Sequence, residues 1–222
     1  MSVAIALDGP AGAGKSSIAK RAAKALDYIY VDTGALYRTI GLAATRSNVE
    51  PKPSKEVNEL LSEIKVDLTF NNKGEQIVLL NGEDVSGEIR TPEASMTASK
   101  ISAVPSVREY LLDLQRNMAK AHNVIMDGRD IGTVVLPDAQ IKIFLTASPE
   151  ARAKRRYKEL CEKGMNVKYE DVLSDVIQRD YNDTHRDVAP LKPAEDSITV
   201  DTTELDFEQS VDKIISVIKE NI

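Results

Sequence analysis

Gly9-Pro10-Ala11-Gly12-Ala13-Gly14-Lys15-Ser16, with Ser17 directly after it, has the spacing G-x-x-x-x-G-K-[ST] of a phosphate-binding loop. The apolar run Val3-Ala4-Ile5-Ala6-Leu7 precedes it, and a helical pattern through Ile18, Ala22 and Leu26 follows. A strand before and a helix after are what the mechanism of such a loop needs. Glycines let the backbone turn tightly and bring its N–H groups close to a ligand. The unpaired N–H groups at the helix start, with the helix dipole behind them, favour an anion. Lys15 supplies a mobile positive charge for the β- and γ-phosphates, and the Ser16 hydroxyl a ligand for Mg²⁺. Residues 9–17 are therefore the expected nucleoside-triphosphate-binding segment.

Outward from the loop, Tyr28-Ile29-Tyr30-Val31 is strand-like, and the periodicity from Ala35 to Ala44 predicts a helix. Strand, loop, helix, strand and helix in this order imply a parallel sheet with right-handed crossovers. Val57, Leu60, Leu61 and Ile64 predict a further amphipathic helix. The pattern then becomes alternating from Val66 to Phe70 and extended from Gln76 to Leu80, with turn residues at 71–75 and the hairpin signal Asn81-Gly82. This predicts a small antiparallel insert in an α/β core.

Helical patterns resume from Pro92 to about Ser102 and from Val107, where Val107, Tyr110, Leu111, Leu114 and Met118 form a stripe. Val124-Ile125-Met126 and Ile141 to Leu145 read as core strands, and Ser148-Pro149-Glu150 as a helix start. That helix is expected to reach Gly164, with another from Tyr169 to Thr184. A strand at Ser197–Val200 and an amphipathic terminal helix from Phe207 complete the chain. The fold class is α/β: about five parallel strands flanked by helices, with a β insert and a helical lid. One domain is expected, with a core at 1–62, 103–150 and 190–222, an insert at about 63–102 and a lid at about 151–189.

A net charge of −6 over 222 residues argues against binding a nucleic-acid polymer, which normally needs a basic face. The single cysteine, Cys161, excludes an intrachain disulfide and fits a reducing cytosol. His122 and His185 are too few for a metal site. The start carries no signal-peptide pattern, and no run of eighteen apolar residues suggests a membrane span. A cytoplasmic protein without membrane contact is expected, with a monomer as the default.

A phosphate-binding loop leaves open what receives the phosphate, and whether transfer occurs at all. Three further constellations bear on this. Asp32-Thr33-Gly34-Ala35-Leu36-Tyr37-Arg38 places polar groups after the second strand, where α/β sheets bind ligands, and Arg38 has the fork geometry for a phosphate. Asp127-Gly128-Arg129-Asp130 ends another strand; Asp127 is placed to orient Mg²⁺ through water, with Arg129 and Asp130 facing an acceptor. Residues 152–192 hold ten Lys/Arg against eight Asp/Glu in a chain of net −6. Arg152, Arg155 and Arg156 are expected to share one cationic edge of a lid, followed by Arg179 and Arg186. Cations around the moving group and exclusion of water are what phosphoryl transfer needs.

Together with Asn81-Gly82-Glu83-Asp84-Val85-Ser86-Gly87-Glu88-Ile89-Arg90, Asp127-Gly128-Arg129-Asp130-Ile131-Gly132-Thr133-Val134-Val135 and Arg186-Asp187-Val188-Ala189-Pro190-Leu191, these motifs resemble the bacterial cytidylate kinases along essentially the whole chain. The resemblance implies a nucleoside monophosphate kinase converting ATP and CMP or dCMP to ADP and CDP or dCDP, with Mg²⁺. It implies that Ser99, Arg108 and Asp130 read the cytosine edge, and that Arg38 and Arg129 hold the acceptor phosphate. By the same resemblance Thr33, Arg179, Asp183 and Arg186 reach the sugar and phosphate end. Tyr37 joins this substrate set, and Lys15, Asp127, Arg155 and Arg156 form the catalytic set. Thr33 stands where some relatives have serine. No covalent intermediate is implied: a phosphate oxygen attacks directly, so catalysis is positioning plus electrostatics.

Overall fold

The computed structural model describes residues 2–72 and 74–222. Five strands, β1 (Ala4–Asp8), β2 (Ile29–Asp32), β6 (Val124–Gly128), β7 (Ile141–Thr146) and β8 (Ile198–Asp201), form one parallel sheet in the order β2-β6-β1-β7-β8. Every residue of the central strand β1 is buried. Both its faces are covered, which is why the run reads as continuously apolar rather than alternating. On one face Ile5, Leu7, Ile125, Ile143 and Leu145 pack against Ile18 and Ala22 of α1 (Lys15–Leu26) and Ile214 and Ile218 of α8 (Phe207–Glu220). The other face, with Ala4, Ala6 and Met126, packs against Ile131, Val135 and Ala119.

A second apolar cluster joins α2 (Thr33–Arg46), α3 (Lys55–Glu63), α4 (Pro92–Ile101) and α5 (Pro105–Ala121) to the small sheet. That sheet is antiparallel, in the order β3 (Val66–Phe70), β4 (Gln76–Leu80) and β5 (Glu83–Asp84). Its second turn has Asn81 at φ 52° and Gly82 at φ 85°, the paired positive φ values that an Asn-Gly hairpin takes. The first turn includes Lys73, which lies outside the described residues. Gln76 ties this sheet to the core. Its Oε1 accepts from Asp32 N at 2.8 Å, and its Nε2 donates to Asp32 O at 3.2 Å.

The remaining helices are α6 (Pro149–Glu162) and α7 (Tyr169–His185), with a small cluster of their own around Ala153, Val172 and Val176. Side-chain caps mark many of the starts: Ser148 Oγ accepts from Ala151 N, and Asp206 forms a capping box with Gln209. The helix expected from Ala35 begins at Thr33, because Asp32 is its cap, accepting from Ala35 N at 3.0 Å. A π-helical turn at Ile131–Val135 had no periodic signal in the sequence.

Candidate active site

The loop 9–14 leaves the buried end of β1 and enters α1. A Cβ on Gly9, whose φ is 148°, would lie 1.9 Å from the Leu145 carbonyl oxygen, so only glycine lets the loop start against β7. Gly14 caps α1 at φ 87°. Ala13 is fully buried beneath the loop. Lys15 Nζ donates to the Gly9 and Pro10 carbonyls at 2.7 and 2.8 Å. Burial and the neighbouring Arg129 hold its ammonium well below the usual lysine range.

A cleft of about 330 Å³ opens over this loop. Ala11, Gly12, Gly14, Lys15, Ser16 and Ser17 line one side. All ten residues expected to bind the acceptor line the rest: Thr33, Tyr37, Arg38, Ser99, Arg108, Arg129, Asp130, Arg179, Asp183 and Arg186. Five separate stretches of chain thus meet beyond the C-terminal edge of the sheet, where this architecture binds ligands.

Asp127, the last buried side chain of β6, accepts from Ser16 Oγ at 2.8 Å and from Tyr30 OH at 2.9 Å. Burial, with Asp32 nearby, pushes its carboxyl up to about 6, against the opposing influence of Lys15 and the two hydroxyls. Ser16 and Asp127 offer two hard oxygen ligands side by side. Among the described residues no group of three or more His, Cys, Asp or Glu could hold a metal. Two oxygens and no cage fit Mg²⁺, which keeps several waters and takes the rest of its shell from substrate phosphates.

The acceptor side is built from ion pairs. Arg108 donates through Nη2 to Asp130 Oδ2 and through Nη1 to the Ser102 carbonyl, the latter at 3.1 Å. Its guanidinium carbon sits 5.6 Å from the centre of the Tyr37 ring. Arg108 and Asp130 are only 9% and 4% exposed, so neither charge is screened by bulk water. Arg129 Nε donates to Asp183 Oδ2 at 2.8 Å, and Arg38 Nη2 to Asp32 Oδ2 at 2.7 Å. Thr33 Oγ1 donates to the Asp127 carbonyl at 2.8 Å, joining the start of α2 to β6.

Two arginines are incompletely satisfied. Arg38 Nε is buried without a hydrogen-bond partner among the described residues, as is Arg186 Nη2, which lies 3.5 Å from Asp130 Oδ1. Burial and then Arg129, with Arg38 and Arg156 adding, depress Arg179. Buried donors without partners, among arginines whose charges repel one another, are groups that an anion would satisfy.

The lid arginines do not share one edge. Arg152 is buried: it donates to the Ala147 and Ala11 carbonyls at 2.8 and 3.0 Å and forks onto Asp180 at 2.8 and 2.5 Å. Arg155 donates to the Thr202 carbonyl at 2.5 Å, towards β8 and α8, and is not in the cleft lining. Arg156 pairs with Glu159 at 2.9 Å and also stands outside the lining. Positions i, i+3 and i+4 lie on one side of a helix, so the three differ in where their long side chains find partners: Arg152 at Ala11 and Asp180, Arg155 at Thr202 and Arg156 at Glu159. Sequence reasoning also missed Asp32 as the partner of Arg38, Tyr30 as a ligand of Asp127, and Arg152 as the prop under Ala11. The tyrosine inside a strand and the arginine one turn after a Ser-Pro helix start were the only signals.

The fold and the cleft define a P-loop α/β protein with a cluster of buried and half-buried arginines and aspartates facing the loop. The family model for cytidylate kinase matches residues 5–220, and the chain belongs to that family. It is 52% identical over 216 residues to the cytidylate kinase of Thermosipho melanesiensis, covering 97% of this chain and 96% of that one. It is 51% identical over 213 residues to that of Caldicellulosiruptor saccharolyticus, covering 96% and 94%. Among solved structures, an uncharacterized protein from Eubacterium ventriosum shares the fold, with a TM-score of 0.54 at 14% identity over 98% of this chain and 99% of that one. Among the described residues no helix is long and apolar enough to cross a membrane.

Proposed function

We propose that this protein transfers the γ-phosphoryl group of ATP to CMP or dCMP, giving ADP and CDP or dCDP. The observation that carries the reading is the buried Arg108–Asp130 pair facing the phosphate-binding loop, in a chain of the cytidylate kinase family. The Asp130 carboxylate accepts from the exocyclic amine of cytosine, with the Ser99 hydroxyl beside it, and Arg108 donates to the ring carbonyl and nitrogen. Uracil reverses donor and acceptor at that edge and would leave these groups unpaired. A polar reader of this kind discriminates by up to about 10⁴–10⁵-fold.

The acceptor phosphate exchanges its hydration for Arg38 and Arg129, and Thr33, Asp183, Arg179 and Arg186 take the sugar and phosphate end. One of its oxygens attacks the γ-phosphorus in line; the new P–O bond forms as the bond to the bridging β,γ-oxygen breaks, and ADP leaves. Lys15 and the loop amides hold the β- and γ-phosphates, and Ser16 with Asp127, through water, would hold Mg²⁺. The ion supplies charge neutralisation across those phosphates. The insert at about 63–102 and the lid at about 151–189 close over the pair and exclude water. Arg156, half-exposed and felt electrostatically at Arg179, turns inward on closure; Arg155 steadies the lid against the segment after β8. We take the working form to be a cytoplasmic monomer that needs neither nucleic-acid polymer nor membrane.

The test is to mix ATP and Mg²⁺ with CMP, dCMP, UMP or AMP and measure ADP. ADP formation with CMP and dCMP well above the other two is expected. No nucleotide-dependent ADP with any of the four would favour a protein that holds a nucleotide without transferring phosphate.

A further inference from the structure

Asp8 is the last residue of β1, immediately before the phosphate-binding loop, and is 5% exposed. Its carboxylate accepts from two successive amides, Ile131 N at 2.8 Å and Gly132 N at 2.7 Å. These amides open the π-helical turn, whose first N–H groups have no carbonyl ahead of them to bond. The residue just before them is Asp130, whose carboxylate faces Arg108 and Arg186. The Asp130 carbonyl, in turn, accepts from Val134 N and Val135 N at 2.9 and 3.2 Å.

Asp8 itself cannot move easily. It is in register with Gly128 of β6 on one side and Phe144 of β7 on the other. The next residue, Gly9, is pressed against the Leu145 carbonyl. A buried carboxylate is a costly way to satisfy two amides, and burial, with Asp130 nearby, pushes this one up to about 6 against the opposing pull of the amides and Lys15.

We propose that Asp8 is a positioning residue that sets the distance between the two halves of the site, holding the backbone beside Asp130 to the root of the phosphate-binding loop. The claim rests on the kinase reading above for its kinetic consequence. Its structural consequence stands separately. Asparagine has one acceptor oxygen and turns an N–H₂ towards the second amide, so Asp8→Asn keeps the volume and breaks half of the clamp.

The experiment compares wild type and Asp8→Asn by steady-state kinetics and by hydrogen exchange at the Ile131 and Gly132 amides. KM for CMP is expected to rise on the order of 10- to 100-fold, the effect of losing a charge-assisted hydrogen bond, while KM for ATP stays within about 3-fold. A merely structural role would lower the active fraction and leave that split unmoved. Exchange at the two amides is expected to accelerate by about tenfold or more. Combining Asp8→Asn with Asp130→Asn should give less than the sum of the single effects, because both act through one turn.

Should Asp8→Asn fail to fold, exchange in the wild type keeps the proposal testable: the Ile131 and Gly132 amides are expected to exchange at least about tenfold more slowly than unprotected amides, and unprotected exchange there would overturn it. Unchanged amide exchange, or equal effects on both nucleotides, would overturn the proposal. A wild-type enzyme inactive on CMP would end the kinase reading, while the exchange rates would still decide the clamp.

Discussion

The two halves of the cleft are made of different materials. The loop side is backbone: glycines, amides and one lysine, held by a strand that is buried along its whole length. The acceptor side is side chains, with three of its arginines matched to an aspartate from another element: Arg38 to Asp32, Arg108 to Asp130, Arg129 to Asp183. A backbone cradle recognises phosphate in any nucleotide, because every amide looks alike. A cradle of paired charges recognises a pattern, because a ligand must offer a partner wherever it displaces one. The difference explains how a generic loop can serve a selective reaction.

The comparison breaks first at Lys15. Lys15→Ala is expected to fold and to lose on the order of 10²–10³ in turnover, as for removal of a transition-state donor. Near-normal kcat would remove the lysine from the transfer step. On the acceptor side, Arg38→Ala is expected to raise KM for CMP by roughly 10- to 100-fold with little change in KM for ATP. Equal changes in both constants would mean that the two halves are not separate in function.

Asp127 sharpens the comparison in another way, because it belongs to both halves. Its carboxyl and that of Asp8 lie at about 6 in the folded protein, above the ordinary 3.8. Between those values the folded state holds more protons than the unfolded state, so in the unliganded protein their contribution to stability is greatest at acid pH. It is lost as pH rises through about 6. Asp127→Asn is therefore expected to stabilise the nucleotide-free protein at pH 7.5, by about 1–3 kcal/mol, while impairing turnover. Thermal unfolding without nucleotide or metal measures this; a lower Tm would show that ionised Asp127 holds the fold together.

The smallest effect belongs to the exposed fork of Arg46 onto Glu83 and Glu88, which links α2 to the insert. Glu83→Ala should leave stability within roughly 1 kcal/mol and KM for CMP unchanged, since exposed pairs contribute little. A marked rise in that KM would make this tether part of how the insert is held.

Much of this arrangement was legible in the sequence, for identifiable reasons. The parallel sheet followed from continuous apolar runs with a phosphate-binding loop between strand and helix. The insert followed from alternation broken by Asn81-Gly82, whose positive φ values the structure has. All ten residues expected to bind the acceptor line the cleft: those after β2 and β6 arrive there by sheet topology, and Ser99, Arg108, Arg179, Asp183 and Arg186 are brought by α4, α5, α7 and the residue after α7. The illegible parts depend on direction. Arg152, Arg155 and Arg156 are alike in sequence, yet one props Ala11, one reaches the segment after β8 and one pairs with Glu159 at the surface. The partnership of Asp8 with residues 131 and 132 spans most of the chain and had no local signature.

The central claim, that buried charge pairs read the acceptor base, is tested most directly by the ratio of kcat/KM for CMP to that for UMP, in wild type and in Asp130→Asn. The account predicts a ratio of at least about 10² in wild type, collapsing towards about 1–10 in the variant as its reaction with CMP fails. The same ratio in both proteins would contradict it.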